Sequence, residues 1–339
     1  MKAAVLVKEG SAEQAFEIRE VDKPTPSKDQ VLIKVECFGL NYADVMARNG
    51  LYDPAPKIPS ILGYEVVGKI VEVGEDVDKS RLDERVVAFT RFGGYAEYAV
   101  TAEQACVAIG TIDAAAAAAV AVQYATAYYM AYDAIQLHSG DKVMIHAGAG
   151  GVGTALIQLC KLKKCEIFSN AGSDEKLDYM RKQGADHVMN YRKNDYAKEI
   201  PKILKEEKLE VTFNPIAGST FKKDLRLLAP GGKLMLFGGS ERSGKKWGIL
   251  STLNFLRKMG LLIPISLLIT SKAIIGVNML TIADQNPQIL KRCLEGVVKL
   301  LKDQKIKPHI GARFQATEIS KAHAFLESRK SKGKVVVFW

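Results

Sequence analysis

The first third of the chain carries short apolar runs separated by turn residues. Residues 31–35 and 66–73 are rich in β-branched side chains and are bounded by proline, glycine and charged residues, and residues 95–100 follow the pair Gly93-Gly94. Such runs favour β-strands, because β-branched and aromatic side chains pack well on a pleated surface. Their close spacing predicts a compact, β-rich domain.

The pattern changes at Asp113, where an alanine-rich run begins. Asp113 is a suitable N-cap residue, because its carboxylate can accept the unpaired N–H groups of a first helical turn. From residue 142 onward, apolar strands alternate with helices, which is typical of a doubly wound parallel sheet. Strands are expected at residues 142–146, 166–169, 187–190, 211–213, 233–237, 273–277 and 334–338, and helices at residues 124–132, 153–163, 173–183, 286–302 and 316–328.

A glycine-rich loop joins the first strand of this alternating region to its helix. The loop reads HAGAGGVG from His146 and contains the motif G-x-G-x-x-G, which is specific only when it follows a strand and opens a helix, as it does here. Gly148 permits the tight turn, Gly150 lets the backbone approach a pyrophosphate, and Gly153 lets the helix pack on the strand. A helix N-terminus then faces the phosphates. The predicted phosphate-binding residues are Gly148, Gly150, Gly151, Val152 and Gly153.

The end of the second strand indicates which dinucleotide is bound. A site for NADH usually places Asp or Glu about twenty residues after the glycines, where it binds the ribose 2′-hydroxyl. Here the strand end reads SNAGS over residues 169–173, without a carboxylate. Ser173 and Lys176 lie on one side of the next helical turn and could bind a 2′-phosphate, which predicts NADPH as the cofactor. Ser173 could also be a simple N-cap residue, and Lys176 an exposed surface charge.

Composition narrows the class of protein further. Lys and Arg number 48 against 38 Asp and Glu, which gives a net charge of +10, but the lysines are scattered and no nucleic-acid-binding motif is present. The five cysteines suit reduced thiols better than a disulfide framework. The N-terminus lacks the apolar core of a signal peptide, and the apolar residues 260–270 are too few to span a bilayer. We expect a cytoplasmic protein that binds no nucleic acid.

Short motifs along the whole chain resemble those of one enzyme family. They are GLNYAD from Gly39, GLY from Gly50, GYE from Gly63, ATAY from Ala125 and SKGKV from Ser331, together with the glycine loop. The chain thus resembles the zinc-free, zeta-crystallin-like quinone oxidoreductase branch of the medium-chain dehydrogenase/reductase superfamily. Residues 41–52, 272–276 and 306–310 are most similar to its synaptic vesicle membrane protein (VAT-1-like) subgroup.

The resemblance, together with the hydrophobic pattern, implies an α/β fold of two domains. Residues 1–122 and 282–339 would form a GroES-like, β-rich domain, and residues 123–281 a Rossmann domain with a doubly wound parallel sheet. A chain of 339 residues is long enough for two separate cores. The resemblance also implies a homodimer, in which the strand at residues 273–277 pairs with its copy across a two-fold axis.

The zinc enzymes of this superfamily bind a catalytic metal at two positions that this sequence fills differently. The cysteine position falls on Asn41 and the histidine position on Tyr64. A carboxamide and a phenol are poor zinc ligands beside a thiolate and an imidazole. Glu65 follows Tyr64, but one carboxylate does not build a metal site, and the five histidines of the chain show no paired ligand spacing. We therefore expect no bound metal.

Without a Lewis acid, hydride transfer needs an acceptor that is already electrophilic. Quinones and α,β-unsaturated carbonyls qualify, because the negative charge that forms is delocalised as a phenolate or enolate. By resemblance, the catalytic residues at the nicotinamide end of the cleft are Asn41, Tyr52 and Tyr64. Tyr52 or Tyr64 could donate a proton to the acceptor oxygen, or both could merely stack on a flat substrate. The resemblance also implies cofactor contacts at Thr126, Tyr191, Phe237, Gly238, Asn278 and Lys334.

A long apolar segment between two predicted strands leaves a second function open. Residues 239–272 are more than a connection between two strands requires, and their apolar side chains recur at helical spacing at Ile249, Leu250, Leu253, Leu256 and Met259. This helix could pack on the protein or on a dimer partner. It could instead cover the cleft or touch an anionic bilayer, helped by the basic residues Arg242, Lys245 and Lys246. The resemblance to the VAT-1-like subgroup separately implies an alternative function, a nucleotide-binding, membrane- or lipid-associated module with little catalytic turnover.

One position departs from the family pattern in the second half of the chain. Asn214 lies before Pro215, where relatives usually carry Asp. The change alters the polarity near the ribose in a direction that the sequence alone leaves open.

Overall fold

The computed structural model describes residues 1–241 and 248–339. The strands are β1 Lys2–Leu6, β2 Phe16–Glu20, β3 Gln30–Leu40, β4 Ser60–Ile61, β5 Glu65–Val73, β6 Arg85–Phe89, β7 Tyr98–Ala102, β8 Cys106–Ala108, β9 Lys142–Ile145, β10 Glu166–Ala171, β11 His187–Asn190, β12 Leu209–Asn214, β13 Leu228–Leu236, β14 Ala273–Gly276, β15 Ile310–Gln315 and β16 Lys334–Phe338. The α-helices are α1 Ala12–Ala15, α2 Tyr42–Arg48, α3 Ala114–Ala119, α4 Ala125–Tyr128, α5 Gly151–Leu162, α6 Asp174–Gln183, α7 Tyr196–Leu204, α8 Phe221–Leu227, α9 Gly248–Met259, α10 Pro264–Thr270, α11 Met279–Gln285, α12 Pro287–Lys302 and α13 Ile319–Glu327.

The chain folds into two compact units. The first combines residues 1–129 with residues 279–339, and the second consists of residues 130–278. The junctions fall after Tyr129 and Asn278, against sequence-based boundaries after Val122 and Thr281.

The second unit is built on one parallel sheet, in the order β11-β10-β9-β12-β13-β14. β9 lies at its centre, where its apolar side chains Val143, Met144 and Ile145 are fully buried. Parallel pairing requires a crossover between successive strands, and helices α5 to α10 lie in those connections. The strand order reverses at β9, so the sheet is the doubly wound Rossmann type, as the sequence predicts. In such sheets ligands bind outside the carboxyl ends of the strands.

The first unit is rich in strands, which confirms the β-rich domain expected from the sequence. Its larger sheet has the order β15-β16-β3-β5-β6-β8, with β7 also paired to β3, and β2-β1-β4 form a smaller sheet. The central strand β3 buries Ile33 and Phe38. Asp113 caps α3 as predicted, because its Oδ1 accepts the Ala116 N–H at 2.9 Å.

The described elements differ from the sequence-based expectation at a few boundaries. Helix α5 begins at Gly151 instead of residue 153, because Gly150 takes the extended N-cap conformation with φ −78° and ψ 172°. Strand β13 begins at Leu228, before the expected start at residue 233, because Leu228 pairs with Leu209; the register then shifts over residues 229–232, and regular pairing with β12 resumes at Lys233. Helix α7 contains Pro201, a residue that normally ends a helix, and lies outside the predicted elements.

The apolar segment after β13 forms two helices, α9 and α10. Helix α9 confirms the helix that the spacing of apolar residues from Ile249 to Met259 predicts. Their large apolar side chains face outward, with exposed fractions of 57% at Leu253, 91% at Leu261 and 74% at Leu268. Residues 252–270 have a mean hydropathy of 1.4 and would be long enough to cross a membrane. The helix is interrupted, however, because α9 ends at Met259 and α10 begins at Pro264. Neither the 12 residues of α9 nor the 7 residues of α10 reach the roughly 20 that a helix needs to span a bilayer. The basic residues Arg242, Lys245 and Lys246 lie outside the described residues.

Candidate functional site

The glycine loop lies between the carboxyl end of β9 and the N-terminus of α5. A Cβ added to Gly153 would lie 2.4 Å from the Ala147 carbonyl oxygen, and one added to Gly148 would lie 1.9 Å from Ser169 Oγ. Both positions therefore require glycine for the loop to lie this close to the strands. The first turn of α5 presents backbone N–H groups without helical partners, which suits a pyrophosphate. The loop has the shape that the sequence motif predicts.

The end of β10 carries the groups expected to choose between NADH and NADPH. Ser173 is the N-cap residue of α6, although its side chain makes no capping hydrogen bond. Gly172 lies against Tyr191, since an added Cβ would be 2.6 Å from the Tyr191 hydroxyl and 3.3 Å from Arg192 Nε. Arg192 is a cation that the sequence reasoning missed. The sequence places Arg192 directly after Tyr191, an expected cofactor contact, and this adjacency could have identified it.

The carboxylate nearest to this strand end already has partners. Asp174 accepts a hydrogen bond from Asn190 Nδ2 at 2.9 Å and pairs with Lys193 at 2.6 Å. The Lys193 interaction, followed by the Asn190 hydrogen bond, holds the pKa of Asp174 below its usual range. Strand β10 itself ends at Ala171 without an acidic residue, and the first turn of α6 carries Asp174 and Glu175.

The other predicted contacts of the second unit follow the carboxyl ends of neighbouring strands. Phe237 follows β13 and donates its N–H to the Asn214 carbonyl oxygen at 3.2 Å. Gly238 lies close to Pro215, whose carbonyl oxygen would be 2.8 Å from an added Cβ. Asn278 follows β14 by two residues. The sheet thus brings these residues to the same edge as the glycine loop, whereas Thr126 and Lys334 belong to the first unit.

A buried carboxylate explains the unusual residue at position 214. Asp224, on α8, accepts hydrogen bonds from Tyr196 Oη at 2.7 Å and from Asn214 Nδ2, and it lies 2.9 Å from His146 Nε2. Asn214 Oδ1 in turn accepts the N–H groups of Ile216 and Ala217. An amide fits here because it donates to Asp224 and accepts from the backbone. The network anchors His146, the first residue of the glycine loop.

The first unit holds a buried ion pair around Asn41. Lys334 Nζ donates to Asn41 Oδ1 at 2.9 Å and also contacts Glu65 Oε1. Asn41 Nδ2 donates to the same Glu65 oxygen at 2.8 Å, and the second Glu65 oxygen accepts the Val122 N–H at 2.8 Å. Burial lowers the pKa of Lys334, which the Glu65 carboxylate opposes. Three sequence-distant polar groups thus meet at the end of β3.

The two predicted catalytic phenols lie together in the first unit. The Tyr52 and Tyr64 rings meet edge to face, with centroids 6.3 Å apart. Tyr64 is buried, and its hydroxyl has no hydrogen-bond partner among the described residues. Burial, reinforced by the nearby Asp44 carboxylate, raises the pKa of Tyr64 far above its usual value, and burial also raises the pKa of Tyr52. Both phenols are therefore protonated hydrogen-bond donors.

The donor set around Asn41 does not fit a metal ion. An ammonium group already lies against Asn41 and Glu65, and Tyr64 offers a protonated phenol. Within residues 1–241 and 248–339, no group of three or more His, Cys, Asp and Glu side chains is arranged to hold a metal. The ammonium group of Lys334 leaves Asn41 and Glu65 poorly suited to bind zinc.

Asp44 gives this unit a pH-dependent stability. Burial raises the pKa of Asp44 to about 7, against the Asn41 N–H and the Lys334 charge, which lower it. Between about pH 4 and pH 7 the folded chain keeps a proton that the unfolded chain releases, so stability falls as pH rises through this window. The Asp44 side chain accepts the backbone N–H of Asn41 at 2.7 Å. Asp44→Asn keeps an acceptor oxygen for this N–H but has no ionisable carboxyl group.

Urea unfolding at pH 5 and pH 8 measures this effect. Relative to Asp44→Asn, the wild type is expected to lose about 2–3 kcal/mol of unfolding free energy between the two conditions. Asp178→Asn, at an exposed position on α6, serves as the control and should show no such difference. Parallel pH dependence of the wild type and Asp44→Asn would contradict a buried, protonated Asp44.

Comparison with known proteins identifies the family. Residues 27–113 match the alcohol dehydrogenase GroES-like domain, and residues 151–294 match the zinc-binding dehydrogenase family. The synaptic vesicle membrane protein VAT-1 homolog of Homo sapiens is 30% identical over 94% of this chain and 81% of its own length. The Danio rerio homolog is 30% identical over 93% of this chain, which spans 65% of that relative. A quinone oxidoreductase of Pseudomonas aeruginosa is 29% identical over 96% of this chain and 95% of its own length.

Solved structures share the fold over the whole chain. The Escherichia coli quinone oxidoreductase complexed with NADPH superposes with a TM-score of 0.86 at 24% identity, covering 100% of both chains. The chain belongs to the medium-chain dehydrogenase/reductase superfamily, with a GroES-like domain and a Rossmann domain, and is an oxidoreductase. Within the superfamily it is similar to quinone oxidoreductases and to VAT-1 homologs, as its motifs predict.

Proposed function

We propose that this chain is an NADPH-dependent, zinc-independent reductase that transfers hydride to quinones or α,β-unsaturated carbonyls. The observation that carries the proposal is the Lys334 ammonium group against Asn41 and Glu65, at the position where a metal enzyme of the superfamily would need anionic or imidazole ligands. A site without a Lewis acid suits acceptors that are already electrophilic. The relatives named quinone oxidoreductase support the choice of acceptor.

The second unit supplies the cofactor site. Added Cβ atoms would fill the space at Gly148 and Gly153, so the loop fits a closely approaching pyrophosphate. Ser173, Lys176 and Arg192 would bind the 2′-phosphate through a hydroxyl and two cations. The remaining proposed contacts are Gly150, Gly151, Val152, Tyr191, Phe237, Gly238 and Asn278, with Thr126 of the first unit on the carboxamide side. When bound, NADPH supplies the hydride.

Cofactor selectivity tests the role of Lys176. Lys176→Ala should weaken NADPH binding by about 1–3 kcal/mol, the loss expected for a charge-assisted hydrogen bond. NADH binding should change little, because NADH lacks the 2′-phosphate. Titration calorimetry measures both, and Arg192→Ala should show the same selectivity.

Lys182→Ala provides the matched control, since Lys182 is exposed in the last turn of the same helix. Equal losses for NADPH and NADH in Lys176→Ala would mean that this lysine is structural.

The first unit supplies the proposed catalytic residues Asn41, Tyr52 and Tyr64. Hydride transfer to a quinone places negative charge on an oxygen, and preorganised donors stabilise that charge. The buried Tyr64 hydroxyl and an N–H of Asn41 can donate to it. Tyr64 keeps its proton in the resting site because of its raised pKa. A phenolate oxygen on the reduced acceptor then takes its proton from a phenol or from solvent.

NADPH oxidation with a panel of quinones and enones tests the activity. We expect turnover with both classes, none with saturated aldehydes, no effect of a chelator, and far less than one zinc per chain by elemental analysis. Turnover restricted to aldehydes, or its loss on chelation, would overturn the proposal. Tight NADPH binding with no turnover on any acceptor would favour a nucleotide-binding module.

A second candidate function is contact with an anionic membrane through α9 and α10. More than half of each of seven apolar side chains on this segment is exposed: Leu253, Leu256, Leu261, Ile263, Ile265, Leu268 and Ile269. Residues 242–283 contain no Asp or Glu and six basic residues, of which Lys258 pairs with Glu241. An apolar helical surface next to positive charge fits the boundary of an anionic bilayer. The VAT-1 homologs among the relatives are named as membrane proteins.

Co-sedimentation with vesicles tests this second function. The wild type should bind vesicles containing phosphatidylserine, and the triple variant Leu261→Ser, Leu268→Ser and Ile269→Ser should lose most of that binding. The control variant carries Leu82→Ser, Leu162→Ser and Ile203→Ser, which remove exposed apolar side chains elsewhere. Equal binding of both variants, or no binding by the wild type, would exclude this surface as the contact.

We also expect a homodimer. β14 ends the six-stranded order of the parallel sheet, so its outer edge has no strand partner within the described residues. Pairing with a second copy of β14 would satisfy both edges. Light scattering at micromolar concentration should give twice the mass of one chain, and a monomer would contradict this expectation.

A further inference from the structure

Lys334 and Glu65 form an ion pair that is closed off from solvent. Their side chains are 1% and 0% exposed. A buried ion pair is weak as a source of stability, because the cost of removing both charges from water offsets much of their attraction. In some proteins such a pair is retained because it specifies one arrangement of the groups around it. The arrangement here is that of the Asn41 carboxamide, which contacts both charges.

The chemistry of the two charged groups fixes which way the carboxamide points. An ammonium group has only donors, so the atom of Asn41 that faces Lys334 must be Oδ1. A carboxylate has only acceptors, so the atom that faces Glu65 must be Nδ2. A 180° flip would place an NH₂ group against the ammonium and a carbonyl against the carboxylate. The ion pair therefore permits one orientation.

One N–H of Asn41 is left over in this orientation. Oδ1 accepts from Lys334, and one hydrogen of Nδ2 is donated to Glu65. The group that Asn41 can still offer to a ligand is the second hydrogen of Nδ2. We propose that Lys334 and Glu65 are positioning residues, which hold Asn41 as a pure hydrogen-bond donor for an oxygen that gains negative charge. This inference rests on the proposed function for the identity of the acceptor.

The position of Lys334 also bears on its expected role as a cofactor contact. Its ammonium group is surrounded by Asn41 and Glu65, and an added Cβ at Gly39 would lie 2.2 Å from Lys334 Cε and 2.4 Å from Glu65 Oε1. The glycine thus provides the space that the ion pair occupies. A lysine enclosed in this way acts through Asn41 and does not itself reach a phosphate.

The inference favours ligands with an acceptor oxygen at this position. A quinone or enone carbonyl presents lone pairs to the Asn41 N–H, and its oxygen becomes more negative as hydride arrives. The reverse reaction passes through the same transition state, so the same N–H would also stabilise the alkoxide that forms when an alcohol loses its proton. The site therefore suits a reaction in which an oxygen of the ligand carries negative charge in the transition state.

Three variants separate positioning from cofactor binding. Asn41→Asp keeps an oxygen for Lys334 but has no N–H, and should lower kcat with a quinone by about 10²-fold, as the loss of one oxyanion donor does. Lys334→Met should lower kcat similarly, because the amide is free to flip. Both should leave the Kd for NADPH within about threefold of the wild type. Gly39→Ala, which crowds the lysine without removing a polar group, should give a smaller loss of kcat.

The Asn41 side-chain amide can be observed without turnover. In the ¹⁵N–¹H spectrum its signal is identified by its loss in Asn41→Asp, and the wild type should show slow exchange of these protons with water. Lys334→Met should shift the signal and speed the exchange. If no acceptor is reduced by the wild type, the proposed function fails while this measurement still decides the orientation.

Two results would overturn the inference. One is an unchanged Asn41 signal in Lys334→Met, which would show that the amide needs no ion pair. The other is a loss of NADPH affinity of tenfold or more in Lys334→Met with kcat unchanged, which would make the lysine a direct cofactor ligand. If Lys334→Met does not fold, Asn41→Leu removes the N–H without adding a charge beside Glu65 and still tests the donor role through kcat and the Kd for NADPH.

Discussion

Gly153→Ala is expected to remove most of the affinity for NADPH and to destabilise the Rossmann domain. The added Cβ would lie 2.4 Å from the Ala147 carbonyl oxygen and 2.7 Å from Gly148 Cα, both of them backbone atoms. A backbone contact this short cannot be relieved by rotating a side chain, so the loop itself must move. Overpacking of this kind costs about 1–3 kcal/mol of unfolding free energy. The movement would also displace the backbone N–H groups that we propose bind the pyrophosphate.

Affinity for NADPH should therefore fall at least tenfold, measured by titration calorimetry, together with a lower urea midpoint. Gly276→Ala, in β14 of the same domain, is the matched control, because an added Cβ there meets nothing within 4 Å. The control should bind NADPH like the wild type. Wild-type affinity in Gly153→Ala would show that the loop is not held against the strand as described.

Asp224→Ala is expected to lower the unfolding free energy by about 3–5 kcal/mol, the cost of breaking a buried polar network. The substitution leaves Tyr196 Oη, Asn214 Nδ2 and His146 without their acceptor. Asp224 is fully buried, so water does not replace it easily. The loss also frees His146, and NADPH affinity should fall with stability because the glycine loop begins at this residue.

Urea unfolding measures the change, and Asp178→Ala is the control. The Asp178 side chain is 71% exposed and pairs with Arg181 on the surface, so its removal should cost at most about 0.5 kcal/mol. A loss below about 1 kcal/mol in Asp224→Ala would mean that the three donors find other partners. The Asp224 carboxylate would then contribute little to the free energy of unfolding.

Local sequence determined the Rossmann domain. β-branched and apolar runs at strand length, separated by helical segments, predicted β9, β10 and β11 and the helices after the first two of them. The glycine spacing of the loop and the lack of a carboxylate at the end of β10 follow from residues close in sequence. Such signals act within a few residues, because backbone conformation and hydrogen bonding to the next turn are local.

Boundaries and exceptions followed less well from the sequence. Strand β13 gains Leu228, ahead of the turn-like residues 229–232, because Leu228 pairs with Leu209 before the register shift in the β12 ladder. Helix α7 tolerates Pro201 for a similar reason, because Tyr196 and Ile200 are buried in the core of the domain. In each case tertiary packing decided against the local signal.

The sequence by itself determined the superfamily and the glycine loop, and it placed Asn41 and Tyr64 at the two positions that the resemblance equates with zinc ligands. It could not determine what surrounds Asn41, because Lys334 is 293 residues away along the chain. Nor could it show that Asn214 faces Asp224 or that the side chains of α10 face outward. Contacts of this kind arise only when strands and helices pack, since a polar group chooses its partner among whatever the fold brings within about 3 Å. Tertiary structure therefore decided which polar groups meet around Asn41 and Asn214, and local sequence decided the strands and helices that carry them.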